Sequence, residues 1–507
     1  MYLVIPITMC AAYSTGTALV TTAAPGSSSL LSLKTNYMHL IHSADIQCGS
    51  KTLESNQPYA NIIKHFNMIS QMNVNDLATI GPTLGINQLD SVRSLRYVSA
   101  NTATSAASGN GLSNNRPYGA GDHQSAITSS QNATACNMAI LGKINRFVDT
   151  SSNANNFTAL VTATQLAAEY RPYYEFKSGY HIWYDYGVIR MSDLFESMSN
   201  IGMVQRLDCN LRLWINTGTV NVSVGNTINS STTSYFLPSG GSTFTNTCPL
   251  MVNYVGDSTT ATIAATTTNI VAGLYISKPP TTSLSAINFA NSGASHPLSN
   301  CRIYFSQITM KPDLLISYVN DNRNKKVSYR TFITSFTPNI AVNGSFSSII
   351  SAGVTHPTSV VIIPYIASNT TSGIMNYQWT SPFDSCPATA GGGVSLTNLQ
   401  VNVGGKNVLG TTLSYNYDTF LSQINNAEQL VSSADYGLAN GLFSQTFWEN
   451  SKFYYVNCER SFSADKLVPK NITVSCTNNS NVAVDLLIFV QYAEEITIDV
   501  GTGKVEK

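Results

Sequence analysis

Apolar residues along the chain fall into short alternating runs, separated by stretches rich in Ser, Thr, Asn and Gly. A period of two places every second side chain on one face, which is typical of half-buried β-strands. Many short strands with turn residues between them indicate a sandwich or barrel. In the second half the pattern predicts strands at 301–310, 327–336, 345–350, 358–366, 396–403, 453–458, 472–476, 482–492 and 496–500.

The first half carries fewer strand signals and a few helical ones. Strands are predicted at 37–48, at the aromatic run 173–191, which has glycine breaks at Gly179 and Gly187, and at 207–215. Residues 59–72 place Ile62, Ile63, Phe66 and Ile69 at helical spacing and fit a short helix or an irregular strand pair. Ser192 is a candidate N-cap of a short helix, and 415–431 predicts a longer one.

The 507-residue length predicts more than one domain, since a single core rarely grows past about 250 to 300 residues. The simplest division has an arm without clear periodicity at 1–33, one β unit at 34–290 and a second at 291–507. A Pro-, Ser- and Asn-rich stretch at 277–297 is interpreted as the linker. The small, polar residues of 100–136 predict an exposed loop, and 217–300 alternates Thr-, Ser-, Asn- and Gly-rich loops with short apolar runs at 248–255 and 269–277.

Charged residues make up only 11% of the sequence, against about 25% in an ordinary soluble domain. Lys and Arg total 27 and so do Asp and Glu, which leaves a formal net charge of zero. Such a chain has no strong field to attract nucleic acid, so direct nucleic-acid binding is not expected. Proteins that stay monomeric usually carry net charge, and its absence favours assembly.

The nine cysteines have no CxxC pair and no repeated spacing, and we interpret them as reduced core thiols. Eight Asn-X-Ser/Thr sequons occur, which an Asn-, Ser- and Thr-rich chain produces by chance. The apolar start lacks the basic region of a secretory signal, and no apolar run is long enough for a membrane-spanning helix.

No residue pattern predicts catalysis, and no catalytic, cofactor-binding or metal-binding residue is assigned. His39 and His42 have H-x-x-H spacing, but on a strand their rings would point to opposite faces. The stretch "GGGV" at 391–394 indicates a flexible turn, since it lacks the helix that a dinucleotide site needs. Adjacent Glu494 and Glu495 predict a solvated strand end that protects an edge. Asp313 and Asp321 could in principle do acid–base work, but the sequence gives no distance between them.

Several stretches resemble the double jelly-roll major capsid proteins of eukaryotic double-stranded DNA viruses, especially the virophage, polinton-like and adintovirus group. Residues 41–70 resemble the first strands of that family, and 187–216 resemble its strand, short helix, strand unit. In the second half the similar stretches are 301–319, 345–366, "SPFDSCP" at 381–387, and 441–505.

The resemblance implies an all-β fold of two tandem antiparallel jelly-roll sandwiches with a few short helices and long polar surface loops. It further implies a non-enzymatic major capsid protein, located in the virion and assembled inside the host cell. The partners it implies are the chain itself, as a homotrimeric pseudo-hexameric capsomer and then as neighbouring capsomers of an icosahedral shell, together with penton and minor capsid proteins.

The sequence departs from the family pattern in having no basic N-terminal arm. The apolar arm is interpreted as contacting neighbouring subunits or an internal membrane. A receptor-binding or adhesin sandwich is the alternative, because the same fold serves both uses. A glycan-processing β enzyme is a more distant third. An adhesin would be expected to show a cleavable signal or internal repeats, and an enzyme a carboxylate or metal cluster.

Overall fold

A computed structural model describes most of the two strand-rich halves. The described residues are 1–15, 18–19, 29–33, 36–86, 173–205, 208–225, 235–238, 250–254, 268–280, 287–367, 394–410, 415–425, 445, 448, 452–459, 468–481 and 483–506. Outside the described residues lie the predicted loop at 100–136, much of the loop-rich stretch 217–300 and the glycines at 391–393.

The strands of the first half are β1 (Tyr2–Thr15), β2 (Ala18–Leu19), β3 (Ser29–Leu33), β4 (Ile41–Cys48), β5 (Lys51–Asn56), β6 (Tyr173–Lys177), β7 (Tyr180–Arg190), β8 (Cys209–Ile215), β9 (Gly218–Gly225), β10 (Tyr235–Pro238), β11 (Leu250–Tyr254), β12 (Thr268–Ile276) and β13 (Arg302–Tyr304). Those of the second half are β14 (Asn324–Ile340), β15 (Ser345–Val354), β16 (Pro357–Ile366), β17 (Leu396–Val403), β18 (Lys406–Asn407), β19 (Tyr454–Asn457), β20 (Lys470–Asn478), β21 (Val484–Asp499) and β22 (Val505–Glu506).

The helices within the described residues are short. They are α1 (Ala60–Gln71), α2 (Val74–Thr79), α3 (Met191–Leu194), α4 (Ser197–Asn200), α5 (Pro312–Asp321) and α6 (Tyr417–Asn425), with 3-10 turns at Tyr37–Leu40, Gly81–Leu84 and Phe289–Ser292. Residues 60–71 therefore adopt the helix rather than the strand pair of the two predicted alternatives. No helix in this part of the chain is long and apolar enough to cross a membrane.

The second half is a jelly roll by its strand order. One sheet runs β14-β21-β16-β19 and the facing sheet runs β15-β20-β17-β18. Numbered along this half, the first strand pairs with the eighth, the second with the seventh, the third with the sixth and the fourth with the fifth. This nested antiparallel pairing, divided between two facing sheets of four strands, is the jelly-roll topology. The strands predicted at 327–336, 345–350, 358–366 and 396–403 all lie within it.

The first half is also an antiparallel sandwich. Its larger sheet runs β10-β9-β12-β1-β7-β6, with β2 and β13 added to β1, and a smaller sheet runs β5-β4-β8. Apolar side chains of β1, such as Ile5 and Ile7, share one core with Ile41 and Ile46 of β4. The predicted all-β fold class with tandem antiparallel sandwiches is confirmed.

Residues 2–15 differ from the predicted arm, because they form the central strand β1 of the larger sheet. Ile5, Ile7 and Met9 face the sandwich core, while Cys10 and Ala12 lie in a second apolar cluster on the other side of the sheet. A strand buried on both faces shows a continuous apolar run instead of alternation. The missing period therefore reflects burial of both faces.

The outer face of this sheet is covered by a strap at 287–299, much of which the composition predicts to be a linker. Ile287, Phe289 and Ala294 complete the cluster around Cys10. His296 secures the strap: its Nε2 lies 3.0 Å from the carbonyl oxygen of Asp185, and its Nδ1 accepts from Leu298 N at 2.9 Å. These two contacts fit a neutral ring protonated on Nε2.

The two sandwiches are joined by a shared apolar interior. Ile62, Ile63 and Phe66 of α1 pack into the core of the second sandwich. In return, Val327 of β14 and Ile496 of β21 pack into the core of the first. Each sandwich thus contributes side chains to the interior of the other, which fixes their relative position.

Candidate assembly surface

A buried ion pair reinforces the junction between the sandwiches. Glu54 of β5, with its side chain fully buried, lies 3.3 Å from Lys64 Nζ of α1. Its other carboxylate oxygen accepts from Ser197 N at the start of α4, at 2.9 Å. Glu196, just before α4, then binds Arg330 of β14 through both carboxylate oxygens at 3.0 Å. Contacts of Glu54 and Glu196 therefore connect β5 through the start of α4 to β14 of the second sandwich.

The loop around α4 adds neutral and charged hydrogen bonds across the same junction. Asn200 Nδ2 donates to Ser328 O at 2.9 Å, and Lys325 Nζ donates to Ile201 O at the same distance. The Tyr329 hydroxyl lies 2.7 Å from both Leu53 O and Glu494 Oε2. Burial and the neighbouring Glu494 raise the pKa of Tyr329 far above its usual value, so the phenol stays neutral. These contacts hold β5 and the α4 loop of the first sandwich against β14 and β21 of the second.

The histidines singled out from the sequence do not form a metal site. His39 lies in the 3-10 turn at Tyr37–Leu40, not on a strand, and its Nε2 lies 3.1 Å from His65 Nδ1. His42 instead meets the ring of Tyr59 edge to face, and desolvation lowers its pKa. Among the described residues no group of three or more His, Cys, Asp or Glu side chains converges.

The paired carboxylates are separated by their surroundings. Glu494 faces the buried Tyr329, whereas Glu495 forms an exposed ion pair with Lys326 at 2.9 Å. Asp313 and Asp321 lie at opposite ends of α5, about 12 Å apart along its axis at 1.5 Å per residue. Neither pair has the geometry of an acid–base couple.

The cysteine prediction is confirmed in part and wrong for one pair. Cys10, Cys458 and Cys476 are buried thiols, and burial raises the pKa of Cys458 and of Cys476 to about 12 each. Cys48 and Cys209, however, are directly opposite on β4 and β8 and form a disulfide. They are 161 residues apart in sequence, and spacing alone gives no sign that their strands are neighbours. Cys301 is an exposed thiol, and the other three cysteines lie outside the described residues.

A surface feature that the sequence pattern does not identify is a group of exposed apolar side chains at the start of β1, on β13 and along the segment that leads into α5. We call it the apolar strip; its members are Met1, Tyr2, Ile303, Tyr304, Phe305, Ile308, Leu314 and Ile316. Fourteen large apolar side chains are exposed in the described part of the chain, and eight of them belong to this strip. Phe305 and Ile308 are 69% and 65% exposed. Periodicity predicts a strand at 301–310, but it cannot say whether the apolar face of that strand points inward.

Local structure explains how the apolar strip is presented. β13 pairs with the start of β1, opposing Tyr304 to Tyr2 and Ile303 to Leu3. The chain then runs as 305–311 outside any strand or helix before entering α5 with Pro312 at its start. In α5 the Tyr318 hydroxyl donates to Met203 O, which anchors one face of the helix. Leu314 and Ile316 of the same helix remain exposed.

The extent of the apolar strip matches a protein interface. With about 200 Å² for a large apolar side chain, the exposed fractions of the eight members amount to roughly 900 Å². A stable protein–protein interface buries about 800 Å² on each partner. The stretch 303–310 also contains no charged residue, and charge depletion is characteristic of interface centres.

The sequence matches no protein-family model and no curated protein. Three of the solved structures to which the fold is similar come from viruses. A cryo-EM structure of the Sputnik virophage shows 9% identity and a TM-score of 0.37, covering 100% of this chain and 81% of the other. The mavirus major capsid protein gives the same identity and TM-score, covering 100% and 83%. The Faustovirus major capsid protein shows 10% identity and a TM-score of 0.33, covering 97% and 85%.

Proposed function

We propose that this chain is the major capsid protein of an icosahedral virus, a structural subunit that assembles with copies of itself as trimeric, pseudo-hexameric capsomers. The observation that carries the proposal is the apolar strip, because an area of this size and composition is unfavourable in water unless a partner covers it. The buried contacts between the two sandwiches also support the proposal, because a subunit that packs into a regular shell must keep a fixed shape. The zero net charge means that like copies are not held apart by their overall charge.

In this function the chain acts in the virion, after assembly inside the host cell. Its partners are neighbouring copies, first within the capsomer and then between capsomers, together with penton and minor capsid proteins. The nearly neutral sequence supports assembly without direct contact to the genome. An internal membrane remains a candidate partner of the assembled shell, although β1, part of the predicted arm, is occupied inside the sandwich.

Light scattering on the purified full chain, followed by negative-stain imaging, tests the proposal. A particle of three times the 54.6 kDa chain mass with a hexagonal outline is the expected result. Higher concentration is expected to give sheets or closed shells of such particles. A stable monomer at all concentrations would refute the capsid function and favour the adhesin alternative.

A further inference from the structure

The segment that follows β13 has the properties of an unpaired strand. Residues 303–310 read "IYFSQITM", which is uncharged and rich in β-branched and aromatic residues. Beyond Tyr304 the backbone has no strand partner within the described residues. Soluble proteins usually protect such a segment with charges, proline or a covering element. Here it extends past the start of β1, because Tyr304 already lies opposite Tyr2.

The second sandwich carries an edge of matching character. β15 is the outer strand of its sheet and pairs only with β20 in the described part of the chain. Its sequence, "SFSSIISAGV", has no charged residue, and Ile349 is 61% exposed. Val342, in the turn just before β15, is also exposed.

Other sheet edges whose side chains are described lack this combination. β14 carries Lys325, Lys326 and Arg330 in its first half and Pro338 near its end, β5 carries Lys51, and β8 carries Arg212. β19 is uncharged but its four residues are all buried. Charged edges disfavour the addition of a foreign strand, and a buried edge cannot receive one. β15 is therefore the edge best suited to accept a segment from another molecule.

The two surfaces do not cover each other within one chain, since both are exposed in the same molecule. We propose that residues 303–310 of one copy lie along β15 of the next copy, adding a strand to its sheet. The inference rests on the proposed self-assembly and names the surfaces that meet. Main-chain hydrogen bonds supply much of the affinity in this mode of recognition, and alternate side chains supply the specificity.

The contact is head to tail, since it joins the segment after the first sandwich to the second sandwich of a neighbour. Heterologous contacts generate rings when the rotation closes. A closed ring buries every such segment and every β15 edge, whereas a contact of the segment with itself would give only dimers. The uncharged character of both surfaces means that no charge is buried when they meet.

Thiol cross-linking tests this pairing in the full chain. Exposed Cys301 is first replaced by Ser. One cysteine is then placed at Phe305 or Ile308 and a second at Ser348 or Ile349, giving four double variants that cover both side-chain faces of β15. Each is oxidised with diamide and separated on a denaturing gel without reductant. The matched control pairs Ile308→Cys with Trp214→Cys, an exposed position on β8 of the first sandwich.

At least one variant is expected to yield covalent dimers and trimers about tenfold above the control, because a disulfide forms only where Cβ atoms approach within about 4.5 Å. Light scattering and thermal unfolding of each variant before oxidation show whether assembly and fold are intact. Trimers without cross-links above control would overturn the inference and leave the capsid function standing. Cross-links in the variant with Ile308→Cys alone would also overturn it, since they would place the segment against itself. A monomeric wild-type chain would refute both proposals.

Discussion

Replacing Glu54 by Gln is expected to destabilise the protein more than any change at an exposed ion pair. The substitution keeps the side-chain shape but removes the negative charge beside Lys64, whose side chain is 5% exposed. An ammonium group left buried without its counter-ion costs about 3 to 5 kcal/mol. The amide oxygen of the introduced glutamine can still accept from Ser197 N, but its amide nitrogen then faces the donors Lys64 Nζ and Glu196 N, so the loss combines the charge with one acceptor.

A double variant separates charge from packing. Lys64→Met in the Glu54→Gln background removes the uncompensated cation and keeps an unbranched apolar side chain in its place. The penalty should then fall to about 1 to 2 kcal/mol, because replacing both members of a buried pair is often nearly neutral. Lys326→Ala, which breaks the exposed pair with Glu495, is the control and should leave the unfolding midpoint nearly unchanged, because solvent screens an exposed ion pair.

The assay is guanidinium unfolding of the unassembled subunit, followed by tryptophan fluorescence and circular dichroism together. Coincident transitions are expected in the wild type because the two sandwiches share their interiors. If Glu54→Gln lowered stability no more than Lys326→Ala, the buried pair would not hold the junction. Loss of coincidence in Glu54→Gln alone would show that the two sandwiches had uncoupled.

Three further outcomes are expected. Ile308→Asp should abolish trimers in light scattering while shifting subunit stability by no more than about 0.5 kcal/mol, since the side chain is 65% exposed; retention of trimers would contradict a central role for the apolar strip. Burial raises the pKa of Tyr454 and of Tyr492 to about 12, above the ordinary value of 10, so the phenolate is disfavoured in the fold. Their stabilising effect is full below about pH 10 and is lost as pH rises to about 12, which a urea titration at several pH values would detect as a falling midpoint. Replacing Cys48 and Cys209 by Ser should cost about 2 to 5 kcal/mol because the bridge closes a long loop, and an unchanged midpoint under oxidising conditions would argue against the disulfide.

The strands of the second sandwich are easier to predict from sequence than β1 of the first, because several of them bury one face and leave the other less buried. β20 alternates between buried and less buried side chains along most of its length, and this period is visible in the sequence. β1 has no such period because both its faces are covered. Gly187, predicted to be a break, lies within β7, where a Cβ atom would come within 2.8 Å of Leu40.

The assembly surface is the least predictable part. The apolar residues of 303–310 look the same in sequence whether they face a core or a neighbouring molecule. Glu54 and Lys64 likewise look like ordinary surface charges, and only the meeting of β5, α1 and α4 makes them a buried pair. Contacts between distant segments depend on topology, which local periodicity does not encode.

The position of α1 has a consequence for the order in which the chain is made. Ile63 and Phe66 belong to the core built by strands that begin with β14, more than 250 residues later in the chain. At about 5 to 20 residues per second, a ribosome needs on the order of tens of seconds to supply those strands. During that interval the apolar face of α1 lacks its final partner, so a nascent chain is most exposed to aggregation at this helix. Chaperone binding during synthesis is accordingly expected to concentrate on residues 60–71.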